Sequence, residues 1–141
     1  MKKVVLLMMV LGMAGIFNSA YGQTYVDLGL SSGTKWCTTN EDDVYTFGQA
    51  VSRFGSKLPT KRQWEELYNE CEWKWRETGG YKVTGPNGKS ITLPAATSDG
   101  NYWSSTTNGS HSAWQLNFDS GGVRVCSIYR SYGLSVRLVQ D

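Results

Sequence analysis

The sequence is poor in the residues that carry most enzyme chemistry. It holds one histidine, His111, and three cysteines, Cys37, Cys71 and Cys126, with no CxxC spacing among them. Such a set does not make the usual zinc sites, so neither a metal nor a cofactor is expected. No GxSxG surrounds any serine, which removes the nucleophile elbow of the common serine hydrolases. His111 lies in the polar stretch Asn108-Gly109-Ser110-His111-Ser112 and reads as an exposed loop residue. Catalysis requires a nucleophile or base with an orienting partner, and no spacing here supplies one. The chain is therefore read as a binding protein and not as an enzyme.

Charge of one sign is missing as well. The chain has 14 Lys+Arg against 12 Asp+Glu, and Lys2 and Lys3 account for the difference. Nothing suggests nucleic acid or an anionic membrane as partner. Only one long apolar run occurs, from Val4 to Phe17, behind Lys2 and Lys3 and ahead of the small residues Ala20 and Gly22. It is shorter than the roughly 20 residues a bilayer span requires. The pattern is that of a secretory signal peptide over residues 1–22. Residues 23–141 are then one exported domain, periplasmic, cell-surface or extracellular, with no membrane insertion after the signal is removed. In an oxidising compartment the three cysteines permit one disulfide and one leftover thiol, or three unpaired thiols. Spacing leaves these possibilities open.

What is abundant is aromatic: six Trp, eight Tyr and four Phe. Tyr25 to Leu28 alternates as a first strand, and Lys35 to Thr38 resumes after the Ser31–Thr34 turn. Val44, Phe47, Val51 and Phe54 recur at helical spacing, with Asp42 or Asp43 as N-cap and Gly55 as the closing glycine. A second helix begins more clearly: Thr60 with Gln63 forms a capping box, and Trp64, Leu67, Tyr68 and Cys71 make its buried stripe. Strands follow. Trp73 and Trp75 alternate with Lys74 and Arg76. Residues 81–84 and 90–93 flank the turn Gly85-Pro86-Asn87-Gly88. Trp114, Leu116 and Phe118 alternate, Asp119–Gly122 turns, and Val123 to Val125 returns. Leu134, Val136 and Leu138 form a closing strand. The fold class is α+β, with two helices in the first half and short antiparallel strands after them.

Glu65, Glu66 and Glu70 fall on the second helix, with Glu72 just beyond, and read as a solvated face. Trp36, Trp64, Trp73, Trp103, Trp114 and Phe118 read as core. Tyr129 and Tyr132 differ, because they stand beside Ser127, Arg130 and Ser131 ahead of Gly133. Tyr, Arg and Ser supply rigid contact area and adaptable hydrogen bonds in binding surfaces. Ordinary strand surface is the competing account, and residue types alone do not choose between them.

Several motifs in order also carry a resemblance. The opening Tyr25-Val-Asp-Leu-Gly-Leu-Ser-Ser-Gly-Thr-Lys-Trp36, the stretch Leu58-Pro-Thr-Lys-Arg-Gln-Trp-Glu-Glu-Leu67, and Tyr81–Gly88 come first. Leu93-Pro-Ala-Ala96, Tyr102-Trp-Ser-Ser105 and Ser135-Val-Arg-Leu-Val139 complete the set. Together they are similar to secreted gut-bacterial proteins of the major-paralogous-domain family, which resembles C-type-lectin-like and formylglycine-generating-enzyme folds. The resemblance implies paired first and last strands with adjacent termini. It also implies an exposed ligand-binding face after Ser105, the stretch that varies in relatives diversified by retroelements. The calcium-site motifs of true C-type lectins are absent, as are the neighbouring reactive cysteines of formylglycine-generating enzymes. With this resemblance, the candidate site is His111, Gln115, Asn117, Asp119, Arg124, Ser127, Tyr129, Arg130 and Tyr132. The expected ligand is a protein or a glycan. A structural subunit of a surface assembly is the alternative, and an enzyme related to formylglycine-generating enzymes comes third.

Overall fold

Two threonines set the helices. A computed structural model describes residues 23–141; the expected signal peptide lies outside the described residues. Strand β1 (Tyr25–Asp27) pairs antiparallel with β2 (Lys35–Cys37). Helix α1 (Phe47–Phe54) is capped by Thr46, not by Asp42 or Asp43. Thr46 N–H donates to Gln49 Oε1 at 2.9 Å, and Gln49 N–H donates back to Thr46 Oγ1 at 3.4 Å. The acidic pair sits too early because Tyr45 is still extended, bridged to Leu134 through both backbone groups. Val44 is consequently 61% exposed ahead of the helix, and the buried stripe is Phe47 and Ala50. Gly55 closes the helix at φ 54°, as its position implied.

Helix α2 (Lys61–Glu70) starts at the expected capping box of Thr60 and Gln63. Trp64 and Leu67 are buried, whereas Tyr68 is exposed and leans on Trp73 at 6.0 Å between ring centres. Glu66 and Glu70 are more than a solvated face. Their carboxylates accept from the Ser32 and Ser31 backbone N–H groups, each at 2.9 Å, and Ser32 Oγ donates to Glu66 at 2.7 Å. Two motifs far apart in sequence are thereby joined, the Ser31–Gly33 turn to the helix that follows Leu58-Pro59.

Strands β3 (Glu72–Trp75), β4 (Tyr81–Thr84) and β5 (Ser90–Leu93) form a second antiparallel sheet. Its β4–β5 turn packs on the first strand. A methyl on Gly85 would run into the Leu28 backbone, and Asn87 Nδ2 donates to Asp27 O at 2.8 Å. The third sheet is β6 (Asp99–Asn108), β7 (Ser112–Asp119) and β8 (Gly122–Tyr129), in that order. The last strand, β9 (Val139–Gln140), is shorter than the alternation from Leu134 suggested. It pairs with β2, so β1 and β9 flank β2 and do not pair with each other. The described ends still meet in one sheet.

The architecture is α+β: two helices and three small antiparallel sheets. Cross-strand partners share a face, so Tyr102, Leu116 and Phe118 point to one side of the third sheet and Trp103, Ala113 and Ile128 to the other. The first set joins Trp36, Trp64, Leu67 and the second sheet's Val83 and Leu93 in one core. The second set joins Phe47 and Ala50 of α1 with Leu58, Leu134 and Val136. Trp36, Trp64, Trp103 and Phe118 are fully buried as expected. Trp73 and Trp114 are only half-buried; the Lys61 ammonium stands 3.9 Å over the Trp114 ring.

One buried charge ties the sheets together. Arg137 is 1% exposed. Its guanidinium donates to Cys37 O at 3.0 Å, Thr92 O at 2.7 Å and Asn40 Oδ1 at 2.9 Å, reaching the first and second sheets at once. Burial pulls its pKa down from the usual arginine value. Asn40 in turn donates to the Tyr102 hydroxyl, which donates to Pro94 O at 2.7 Å. Cys37, Cys71 and Cys126 are all free thiols. Burial, then the carboxylates of Glu70 and Glu66, push the Cys71 thiol up to about 11.

Candidate functional site

The β7–β8 hairpin carries the candidate residues, and its geometry sorts them. Its ladder runs without interruption from Ser112↔Tyr129 to Asp119↔Gly122, with Ser120-Gly121 as the turn. Asp119 belongs to that turn: its carboxylate accepts from Gly121 N–H at 2.8 Å, and its carbonyl accepts from the Tyr81 hydroxyl at 2.8 Å. Asn117 is tied to β6, donating to Asn101 Oδ1 at 2.8 Å. Arg124, the cross-strand partner of Asn117, is exposed on that face. These three residues occupy the turn end of the hairpin.

Gln115 does not belong to the surface at all. It is 4% exposed, in a row with Trp103 and Cys126, because its side of β7 is covered at that point. Its Nε2 lies 3.8 Å from the Cys126 sulfur, and its Oε1 has no hydrogen-bond partner. The expectation of a surface contact fails here. Period-two alternation marks one face of β7 as apolar, but it gives no sign that the other face is buried too.

The remaining five, His111, Ser127, Tyr129, Arg130 and Tyr132, come together at the opposite end of the hairpin. Two shallow recesses share Tyr129. One, of about 360 Å³, is lined by Ser110, His111, Tyr129, Arg130 and Ser131. The other, of about 450 Å³, is lined by Ser112, Ser127, Ile128, Tyr129 and Tyr132. Tyr129 is 64% exposed and Tyr132 54% exposed, so both present ring faces and hydroxyls to solvent. Arg130 holds the floor. Its Nη2 donates to Gly109 O at 2.6 Å and its Nε to Ser112 O at 3.1 Å, while the guanidinium lies 5.2 Å from the centre of the Phe47 ring. Its backbone also joins the two sides: Arg130 N–H donates to His111 O, and Phe47 N–H donates to Arg130 O, both at 3.0 Å. The 109–112 loop is thus fastened to β8 and to α1.

His111 is exposed, with Nδ1 3.1 Å from the Ser110 hydroxyl. Neither recess has a carboxylate in its lining. Among the described residues, no cluster of His, Cys, Asp and Glu could hold a metal ion. What the arrangement offers is two tyrosine rings, several serine hydroxyls and an imidazole, all at the surface of a fixed loop. The serines Ser110, Ser112 and Ser131 were missed as lining residues; their only sequence signal is adjacency to His111 and Arg130.

A third hollow, of about 510 Å³, lies beside α1, lined by Asp43, Val44, Tyr45, Gln49, Ser52 and Arg53. Its polar groups are more committed. Gln49 completes the helix cap, and the Arg53 guanidinium lies 5.9 Å from the centre of the Tyr45 ring.

The model of a family described as a domain of unknown function, DUF8237, matches residues 61–139. The chain belongs to the DUF8237 family. The DUF8237 match runs from the first residue of α2 into β9, so it contains the second and third sheets, both recesses and Arg137. No curated protein and no solved structure matches the chain. No helix among the described residues is long and apolar enough to cross a membrane.

Proposed function

We propose that this protein is an exported, non-catalytic binding domain that recognises a protein or glycan ligand through the two recesses around Tyr129. The observation that carries the reading is the pair of exposed tyrosines on a fastened frame. Among the described residues most aromatic rings are buried or half-buried, whereas Tyr129 and Tyr132, the two most exposed, stand among serine hydroxyls and His111. Tyrosine has few rotatable bonds, so it offers contact area at low entropic cost, and its hydroxyl adds a directional bond. Arg130 keeps the loop in place ahead of binding, which lowers the ordering cost of association.

The C-type-lectin-like fold belongs to this proposal. Adjacent ends in one sheet, two early helices and a late antiparallel hairpin sheet support it, as does the motif resemblance. So does the position of the recesses after Ser105, the stretch that this resemblance marks as the ligand face. Export to the periplasm, the cell surface or the medium follows from the leader pattern of residues 1–22. Recognition proceeds without a cofactor, by stacking and hydrogen bonding. The testing experiment is a screen of the purified protein on glycan and protein arrays beside a Tyr129→Ala/Tyr132→Ala variant. A hit that the folded variant loses supports the reading; a hit that it keeps moves the site elsewhere.

A further inference from the structure

The third sheet ends in an open edge. Its other outer strand, β6, is covered: Trp103 N–H donates to Ser135 O at 3.1 Å, and Ser135 N–H donates to Asn101 O at 3.0 Å. β8 has no such cover. Among the described residues, no backbone hydrogen bond from outside the hairpin reaches Gly122–Ile128. With 8 residues it is longer than the outer strands β1, β3 and β5, which have 3 or 4. An edge of this length presents a row of unpaired N–H and C=O groups, which proteins usually blunt with charges, proline or a bulge. β8 has no proline, one charge at Arg124 and an unbulged ladder, and half-buried Val123, Val125, Cys126 and Ile128 make up half of it.

We propose that β8 pairs antiparallel with β8 of a second copy of this chain, about a two-fold axis at Cys126, and that this pairing sets the two Cys126 thiols to form an intermolecular disulfide. The register follows from the hairpin. The two-residue turn closes on the pair Asp119↔Gly122, so Arg124, Cys126 and Ile128 spend their backbone groups on β7 while Val123, Val125 and Ser127 point theirs outward. In a two-fold antiparallel pair, directly opposed residues must be of one kind, so the axis passes through a residue. Val125 and Cys126 are the central choices. An axis at Val125 sets Arg124 diagonal to its own copy, roughly 7–8 Å away, with like charges on one face. An axis at Cys126 opposes Arg124 to Ile128, Val125 to Ser127 and Val123 to Tyr129, the last an aromatic and β-branched pair of the kind that stabilises sheets. Charge therefore selects Cys126.

The two Cys126 residues then form a non-hydrogen-bonded pair with Cα atoms about 4.5 Å apart, inside the roughly 4.4–6.8 Å range that a disulfide spans. The bond forms by exchange with an oxidised disulfide such as glutathione disulfide. One Cys126 thiolate attacks it, releasing one glutathione thiolate. The second Cys126 thiolate displaces the other glutathione from the mixed disulfide. The two thiol protons pass to the two glutathione thiolates, and the reagent's disulfide is reduced. Pairing also brings Arg124 of the partner subunit beside Ile128, which lines one recess, so the dimer adds a cation next to Tyr129. This register sets the partner subunit's Val123 against Tyr129, so the dimer shares residues with one recess; chain mass and the disulfide are read without ligand, so the dimer and the binding proposal fail separately.

Light scattering on protein purified from cells expressing the full sequence provides the test. Under reducing agent, the mass should rise toward two chains with concentration. After glutathione disulfide it should be two chains at every concentration, with a Cys126–Cys126 peptide found by mass spectrometry. Cys126→Ser should abolish the covalent dimer and keep the concentration-dependent one. Ser127→Pro, which removes an outward donor, should abolish both with an unchanged circular dichroism spectrum; if that variant misfolds, Ser127→Lys makes the same test. A chain that stays monomeric in both redox states overturns the proposal. So does a disulfide through Cys37 or Cys71, or a dimer that survives both Ser127 substitutions.

Discussion

At the residue scale, the division of aromatics between core and surface is the main stability statement. Trp64 is fully buried, packs at a tilt against Trp36 at 4.6 Å between ring centres, and donates its indole N–H to Trp103 O at 3.1 Å. Trp64→Ala should lower unfolding free energy by about 3–5 kcal/mol. Tyr129→Ala should change it by less than about 0.5 kcal/mol, as exposed positions do. Urea titrations of the two variants decide; similar losses would erase the distinction between core and recess. Arg137 makes a second prediction. Arg137→Met leaves Cys37 O, Thr92 O and Asn40 Oδ1 without their donor, and should cost at least about 3 kcal/mol in the same titration. Cys71 adds a pH dependence. Its thiol is raised from 9.0 to about 11 in the folded chain. Folding therefore favours the protonated form: this contribution to stability is complete below pH 9.0 and is lost as pH rises through about 11. Alkylation of Cys71 in folded protein should stay slow at pH 9 and accelerate toward pH 11, whereas the thiol of urea-unfolded protein reacts readily at pH 9.

At the element scale, helix α2 shows how much local sequence decides. Thr60 and Gln63 announced its start, and the capping box is there with both bonds. Thr60→Ala should cost about 1 kcal/mol. The same logic misplaced the start of α1, because Asp42 and Asp43 are good caps in isolation. A tertiary bridge between Tyr45 and Leu134 holds the chain extended past them, and no local pattern reports such a bridge. Asp43→Ala should accordingly leave stability within about 0.5 kcal/mol, whereas Thr46→Ala should lose about 1 kcal/mol; thermal melts of the two variants separate the accounts. The β4–β5 hairpin was legible from Gly85-Pro86-Asn87-Gly88, but the reason for Gly85 was not. It is glycine because the Leu28 backbone, just beyond β1, lies against it. Alternation along β7 gave its apolar face correctly and still misjudged Gln115, since it cannot tell a sheet covered on one side from one covered on both.

At the scale of the whole molecule, the α+β class and most of the element order followed from periodicity and turn chemistry, but β6, the longest strand, was not anticipated over Asp99–Asn108. Nor was the pairing of β9 with β2, because a two-residue strand carries no period of its own. The candidate site was legible as a segment and not as a set. Residues 110–132 hold both recesses, yet Asn117, Asp119 and Arg124 belong to the far end of the hairpin. A hairpin separates by its own length residues that the linear sequence places close together. The binding account makes one central claim, that ligand meets the protein around Tyr129. Hydrogen-exchange footprinting with the first ligand returned by the array screen tests it most directly. The account predicts added protection confined to residues 109–112 and 127–132, where Arg130 already fastens loop to strand. Protection centred on the Tyr45–Arg53 hollow, with the hairpin end unchanged, would contradict it.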